Sequence, residues 1–325
     1  LAAASLEITD IEFSGDSTKA EAARIAQIAK ERGADMIVGI GGGKTLDAAK
    51  AAAAAAGLKM VSCPTVASTD SPTSSFTVWY DEKGVCQGFE SWPTNPNLVL
   101  VDSQVIAEAP VRTFVAGMGD ALSTWLEAAV VHSTGSPNLA DGRTTMVAMA
   151  IARLGYDVLM KCGREAKRAI ERKVVTPAVE KVIEANILMS GLGFESCGVA
   201  TAHMIANNLP MFPECHGMMH GEEVAFGIIT QLCLDEQMPT DEMHRIVDFM
   251  IDVGLPVTFA EIGLKNPPRD QLKKLGDICA GPGSLCHSHP FKVTSDSIVD
   301  AMIAADALGH ERKQLAAARA AGSVA

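Results

Sequence analysis

Two stretches of this 325-residue chain carry residue types and spacings suited to chemistry. The first is GIGGGKTLDAAK, residues 39–50, where Gly41, Gly42 and Gly43 follow an apolar run and precede an alanine-rich segment. A strand feeding a glycine turn feeding a helix lets backbone N–H groups approach an anion, with the positive end of the helix dipole behind them. Lys44 adds a full positive charge, and Gly42 is expected to use its freedom to adopt a positive φ. The turn matches neither standard phosphate fingerprint. Val38 stands where a P-loop needs glycine, and Lys44 and Leu46 stand where a GxGxxG pattern needs its third. It supports an anion at a helix N-terminus, the alternative being a tight βα turn without a ligand.

The second stretch is ECHGMMHGEE, residues 214–223, with His216 and His220 four apart, expected on one helix face, and Glu222 and Glu223 just beyond. Two imidazoles and a carboxylate suit zinc or another borderline divalent ion with a coordination position open for substrate, although HEXXH is absent. Two further residues stand out. Asp120 in GMGDAL (117–122) falls at an expected helical start, where it is either functional or a simple cap. His203 in ATAHMIANN (200–208) lies among small apolar residues and is either a ligand or a satisfied core histidine.

The elements that must position these residues change character along the chain. Residues 6–13 alternate weakly, as a strand would, and 18–32 read as an amphipathic helix stopped by Gly33. Strands at 35–40 and 59–63 flank a helix at 44–56, a rhythm that implies a parallel sheet. A polar loop, PTVASTDSPTSS (64–75), follows a strand directly, where α/β proteins place ligand crevices. Residues 76–80 and 85–89 around DEKG read as a hairpin, and 98–101 as a last strand. After Pro110 helical spacing takes over, with helices expected at 112–132, 139–162, 177–194, 196–208, 221–237, 240–253 and 295–310. The expected fold is an α/β domain over 1–110 with a parallel nucleotide-binding sheet, followed by an all-helical domain over 111–325.

Composition narrows the function. A net charge of −12 argues against nucleic acid and against anionic membranes as partners. No apolar run reaches the roughly 18 residues of a membrane span. Eight cysteines without a CxxC spacing read as reduced thiols of a cytoplasmic protein. The opening LAAASLEITDIEFSGD has no initiator Met and no signal layout, and reads as starting inside a domain.

The segments 39–50, 64–75, NPNLVLVDSQVIAEAPVRTFVAGMGDALSTWLEA (95–128), SGLGFESCGVATAHMIAN (190–207) and ECHGMMHGEEVAFG (214–227) together resemble the glycerol dehydrogenases. That family lies within the iron-containing alcohol dehydrogenase and dehydroquinate synthase-like superfamily. The resemblance spans nearly the whole chain in the family's order. It implies an NAD-dependent, zinc-binding enzyme that is active in the cleft between its two domains, as a homo-oligomer such as an octamer. The reaction implied is oxidation of glycerol, or a small vicinal diol, to dihydroxyacetone or a hydroxyketone. The hydroxyl would be deprotonated at the zinc and a hydride passed to the nicotinamide.

Carried over by residue, the resemblance makes Asp120, His203 and His220 the metal ligands. It places Gly42, Gly43, Lys44 and Asp47 at the NAD pyrophosphate and its neighbours. Thr65, Ser68, Ser74, Phe76 and Tyr80 line the nicotinamide side, Asp70 contacts substrate, and His216 becomes a pocket group near the metal rather than a ligand. Two departures from the family pattern stand out. About fifty residues expected before Leu1, including a first strand and a ribose-binding Asp, are missing, which would leave a sheet edge unpaired. Position 124, one helical turn after Asp120, is Thr where iron-dependent relatives carry His, which favours the zinc-type subgroup. Competing readings are a glycerol-1-phosphate dehydrogenase, a dehydroquinate synthase-like lyase and an inactive truncated paralogue. The first two need basic residues that the site segments lack.

Overall fold

A computed structural model describes residues 6–82, 86–235 and 238–322. The chain forms two compact units, Leu1–Val66 with Ser71–Ile106, and Ala67–Asp70 with Ala107–Ala325. The placement of 67–70 with the helical unit is a feature that a single break near 110 does not anticipate.

The first unit contains α1 (Lys19–Glu31), β1 (Met36–Gly41), α2 (Gly43–Ala56), β2 (Lys59–Pro64), β3 (Phe76–Tyr80), β4 (Cys86–Ser91) and β5 (Leu98–Val99). Strands β1, β2 and β5 form a parallel sheet in the order β1-β2-β5, with Met36 beside Lys59 and Val61 beside Leu98. Alternation along β1 turns Ile37 inward against Ile25, Ala26, Leu46, Ala49 and Met60, the core beneath α1 and α2. Small alanines on α2 let that helix lie close to the sheet. The hairpin β3–β4 pairs antiparallel, with Phe76 opposite Ser91. Its tip at 83–85, part of the expected DEKG turn and following strand, lies outside the described residues.

Residues 6–13 are not a strand. Ile11 and Phe13 pack on the core, but the backbone there is held by side chains: Arg24 donates to the Glu12 carbonyl, and Glu21 accepts the Ser14 N–H. The expected pattern was only the inward turn of two apolar residues.

The described residues of the second unit form helices and no strand: α3 (Ser103–Glu108), which crosses the boundary, α4 (Val111–Thr134), α5 (Met146–Ile170), α6 (Pro177–Glu184), a π-helical turn (Ala185–Met189), α7 (Ser190–Cys197), α8 (Thr201–Ala206), α9 (His220–Leu234), α10 (Thr240–Val253), α11 (Arg269–Cys279) and α12 (Ser295–Ala320). Several boundaries differ from expectation for local reasons. The helix expected from 139 starts at Met146, because Asn138 accepts the N–H groups of Ala140 and Gly142 and winds a turn there, with Thr145 as the N-cap. The helix expected over 177–194 carries the π turn, and Gly198 at φ 87° ends α7 before α8. Helix α11 was not anticipated, since few of its residues are apolar; Leu272, Leu275 and Cys279 are its buried stripe. The end of the expected 221–237 helix, at 236–237, lies outside the described residues. Helix α4 is long and apolar enough to cross a membrane by composition, yet most of it is buried in this unit, carboxylates included.

One buried charge pair organises the first unit. The Lys50 ammonium lies 2.8 Å from Asp47 and donates to the carbonyls of Ser71 and Phe76, while Asp47 accepts the Ser71 hydroxyl at 2.6 Å and the Val78 N–H at 2.9 Å. Both side chains are almost inaccessible. Breaking such a pair strands a charge in low dielectric. Lys50→Met is therefore expected to cost about 3–5 kcal/mol of stability. The check is a urea titration followed by tryptophan fluorescence, with Arg269→Met, on an exposed pair with Asp300, as the near-neutral control.

Candidate metal and cofactor sites

Asp120 sits in the middle of α4, not at its start, so the capping alternative is removed. It is 1% exposed, and its Oδ1 has no hydrogen-bond partner among the described residues. Facing that oxygen are His203 Nε2 from α8 at 3.5 Å and His220 Nε2 from the first residue of α9 at 3.6 Å. The three ligand atoms lie within 4.8 Å of one another. A bare, buried carboxylate oxygen between two imidazole nitrogens is expensive unless a cation completes it. The donor set, two nitrogens and one oxygen, suits a borderline divalent metal.

Electrostatics agree with this geometry. Burial opposes the Asp120 charge, but the neighbouring His203 and His220 imidazoles hold its pKa below the usual carboxylate value. Burial likewise opposes a charged His203, but the Glu127 and Asp120 carboxylates outweigh it and raise its pKa well above the ordinary value. Crowding by the protein pushes the His220 pKa down against the pull of Asp120, even though 36% of that side chain remains accessible.

The glycines of GMGDA explain how three helices reach one point. A Cβ on Gly119 would overlap the Gly221 carbonyl, and one on Gly221 would overlap the Ala116 carbonyl, so α4 and the start of α9 touch backbone to backbone. Gly227 makes the same close approach to Ala202 of α8. At Gly117 the crowding atom is the Ala67 carbonyl. That segment is fixed by the π turn, whose Asn186 donates to the carbonyls of Ala67 at 3.1 Å and Phe114 at 3.2 Å. Ser190 then donates to Asp70 at 2.9 Å, while the Asp70 N–H reaches Asp120 Oδ2 at 3.3 Å. Asp70 is thus brought to the metal cluster, a juxtaposition no sequence spacing reveals.

His216 is not. It lies before α9, exposed, with its Nε2 2.8 Å from the Pro210 carbonyl, and it does not share a helix face with His220. The reason is that α9 begins only at His220, where Glu222 accepts the Met219 N–H at 2.8 Å and pairs with Arg112 at 2.6 Å. Glu222 therefore builds the helix start. Glu223, one turn after His220, is pushed up to about 8 by burial and by the neighbouring Glu222 charge. Thr124 is buried, its hydroxyl 3.0 Å from Ser190.

Glu127 escapes the sequence reading. It is 0% exposed on α4, with Oε2 2.5 Å from His203 Nδ1. Burial works against its charge, but His203 and two backbone N–H groups lower its pKa. The signal available in the sequence was a lone acidic residue in the apolar run WLEAAVV, seven residues after Asp120 and so on the same helix face.

In the first unit, Gly42 is the N-cap of α2 and Gly43 its first residue. Gly42 has φ −83°, so the expected positive φ is not used there. The crowded position is Gly41, where a Cβ would overlap the Thr45 side chain. Lys44 pairs with Asp16 and stands 4.2 Å over the Tyr80 ring. Thr65 donates its N–H to the Gly41 carbonyl at 3.0 Å. Ser74 and Phe76 are buried, and Asp47 directs its carboxylate to Lys50, Ser71 and Val78. Ser68 falls with Asp70 in the second unit.

Comparison with known proteins gives three concordant results. Residues 1–103 match the family model described as iron-containing alcohol dehydrogenase. The chain is 44% identical over 299 residues to a glycerol dehydrogenase of Citrobacter freundii, covering 92% of this chain and 82% of that protein. It is 41% identical over 309 residues to a glycolaldehyde reductase of Halobacterium salinarum, covering 95% and 84%. Among solved structures, a probable glycerol dehydrogenase from Sinorhizobium meliloti superposes with a TM-score of 0.89 at 41% identity, covering 94% of this chain and 86% of that one.

The close approach of α4 and α9 is directly testable. Gly221→Ala is expected to destabilise the protein by about 1–3 kcal/mol through overpacking and to lower metal retention by moving His220 off Asp120. Gly217→Ala, with nothing within 4 Å of its Cβ, should do neither. Thermal melting and metal content after dialysis read the two effects.

Proposed function

Because the chain belongs to the iron-containing alcohol dehydrogenase family, alongside the glycerol dehydrogenases, we propose that it is an NAD-dependent polyol dehydrogenase that oxidises glycerol, or a small vicinal diol, to the hydroxyketone. The observation that carries the reading is the buried, unpartnered Asp120 oxygen facing two imidazoles.

Asp120, His203 and His220 would hold a divalent metal, which we assign as zinc. The residue at 124 supports zinc over iron, since α4 offers a threonine hydroxyl there, bonded to Ser190, and no further imidazole. When bound, such an ion supplies the Lewis acidity that lowers the pKa of an alcohol hydroxyl. NAD supplies the hydride acceptor, and the protein supplies orientation and charge.

The chain's own residues do the positioning. The Gly41–Lys44 turn opens α2, whose first-turn N–H groups have no intrahelical partners and suit the pyrophosphate. Thr65, Ser68, Ser74, Phe76 and Tyr80 are assigned to the nicotinamide side. Asp70, oriented by Ser190 and tied through its N–H to Asp120, is assigned to accept a hydrogen bond from the second hydroxyl of a diol. Glycerol fits better than its phosphate, because Arg112, the one Lys or Arg in Val111–Thr134, is already committed to Glu222 and the Gly217 carbonyl. The glycolaldehyde reductase relative favours a second reading on the same site, reduction of a two-carbon hydroxyaldehyde.

The test is NADH formation from glycerol and 1,2-propanediol, and NADH consumption with glycolaldehyde, by protein stripped with chelator and then reloaded with zinc. Zinc-dependent turnover of a diol is expected. A protein that binds NAD and zinc but turns over none of these substrates overturns the proposal.

Two variants sharpen it. His220→Ala removes an inner ligand, so its zinc affinity should fall by more than the ~10–100-fold of outer-shell changes, while His216→Ala should keep its zinc. Elemental analysis after dialysis distinguishes them, and the reverse result moves the ligand to His216. Gly42→Val keeps an allowed φ and meets only Val66 at 3.5 Å, so the fold should persist. Its side chain enters the space assigned to the pyrophosphate, and calorimetry should show NAD affinity reduced with zinc still bound.

A further inference from the structure

We propose that Glu127 is a positioning residue of the metal site, fixing the tautomer and direction of the His203 ring so that Nε2 faces Asp120 and His220. The inference rests on the metal-site reading above and goes beyond it by assigning what holds the ligand in place.

The geometry leaves the Glu127 carboxylate a single arrangement. Its Oε1 accepts two backbone N–H groups, from Ala200 at 2.7 Å and His203 at 2.9 Å. These donors cannot rotate, so Oε2 is committed to the imidazole at 2.5 Å. A carboxylate bound in this way has no proton to offer, so the hydrogen between them belongs to His203 Nδ1. Ser123 Oγ, the other polar atom recorded beside Nδ1, lies 3.5 Å away and gives its hydrogen to the Asp120 carbonyl at 2.8 Å. With Nδ1 protonated, the lone pair of the neutral ring is on Nε2, the nitrogen 3.5 Å from Asp120 Oδ1.

The same carboxylate places the helix that carries the ring. Helix α8 starts after Ala200, which offers no side-chain cap of its own. Glu127 reaches across from α4 and takes the Ala200 and His203 N–H groups, the role an N-cap side chain usually fills. Asp120 and Glu127 are two helical turns apart on one face of α4, so a single helix addresses both nitrogens of one imidazole. A histidine buried for packing alone needs no such arrangement.

The discriminating variant is Glu127→Gln in the full chain. Its amide oxygen can still accept the two backbone N–H groups, but its NH2 faces Nδ1 and favours the tautomer with hydrogen on Nε2. Zinc affinity, measured by chelator competition, is expected to fall about 10–100-fold. Ring ¹⁵N spectra of the metal-free protein, recorded at a pH high enough that the His203 ring is neutral, should show its proton moving from Nδ1 to Nε2. Glu127→Asp keeps the acceptor, should recover part of the affinity, and serves if Glu127→Gln fails to fold. Parental zinc affinity and an unchanged Nδ1–H in Glu127→Gln, in a protein whose zinc still depends on Asp120, overturn this inference alone. A parent that binds no zinc, or an Asp120→Asn variant that keeps it, overturns the metal-site reading and this inference with it.

Discussion

An ionised carboxylate in the middle of a buried helix is the constraint on which the second unit depends. Asp120 is 1% exposed, and among the described residues one of its oxygens has no hydrogen-bond donor. A charge in that position is tolerable only if the surroundings supply compensating charge. The helical unit meets the demand by bringing two imidazoles to that oxygen from two other helices. A divalent ion held by all three groups would offset the cost of that burial.

Convergence of that kind requires helices closer than ordinary side chains allow. Gly119 and Gly221 remove the Cβ atoms between α4 and α9, and Gly227 does the same between α9 and α8. Around this contact lie the devices that fix direction: the Arg112–Glu222 pair at the start of α9, Glu127 beneath His203, and Asn186 and Ser190 on the segment that carries Asp70. The π turn over Ala185–Met189 belongs with them. Asn186 within it and Ser190 just after it both bond the 67–70 segment, and π turns are frequent at functional sites.

The first unit solves a different problem. The helix that follows its glycine turn is tied to the rest of the unit by buried contacts. The buried Asp47–Lys50 pair does this by joining α2 to the loop at Ser71 and to the hairpin at Phe76 and Val78. Lys44 faces the other way and keeps its charge at the surface, paired with Asp16 and resting on Tyr80. Two lysines on one helix thus differ in setting, Lys50 buried in the scaffold and Lys44 at the surface.

How much of this was legible beforehand follows from the range of each interaction. The parallel βαβ start, the change to helices after Pro110 and the turn at Gly41–Gly43 are written in local periodicity and turn chemistry, which operate over a few residues. The family resemblance of GMGDA, ATAHMIAN and HGE also named Asp120, His203 and His220 as a set. Spacing alone misled where it suggested that His216 shares a face with His220, because helix spacing means nothing until the helix is known to have begun. It misled again at residues 6–13, where alternation reflected two buried side chains and no partner strand. The roles of Glu127, Ser190 and Asn186, and the membership of 67–70 in the helical unit, depend on contacts between residues 70 or more positions apart. Sequence determined which side chains could bind a cation and which turn could hold an anion. Only the tertiary structure decided which of them meet, because a hydrogen bond or a backbone contact acts over a few ångströms and the chain must fold before those distances exist.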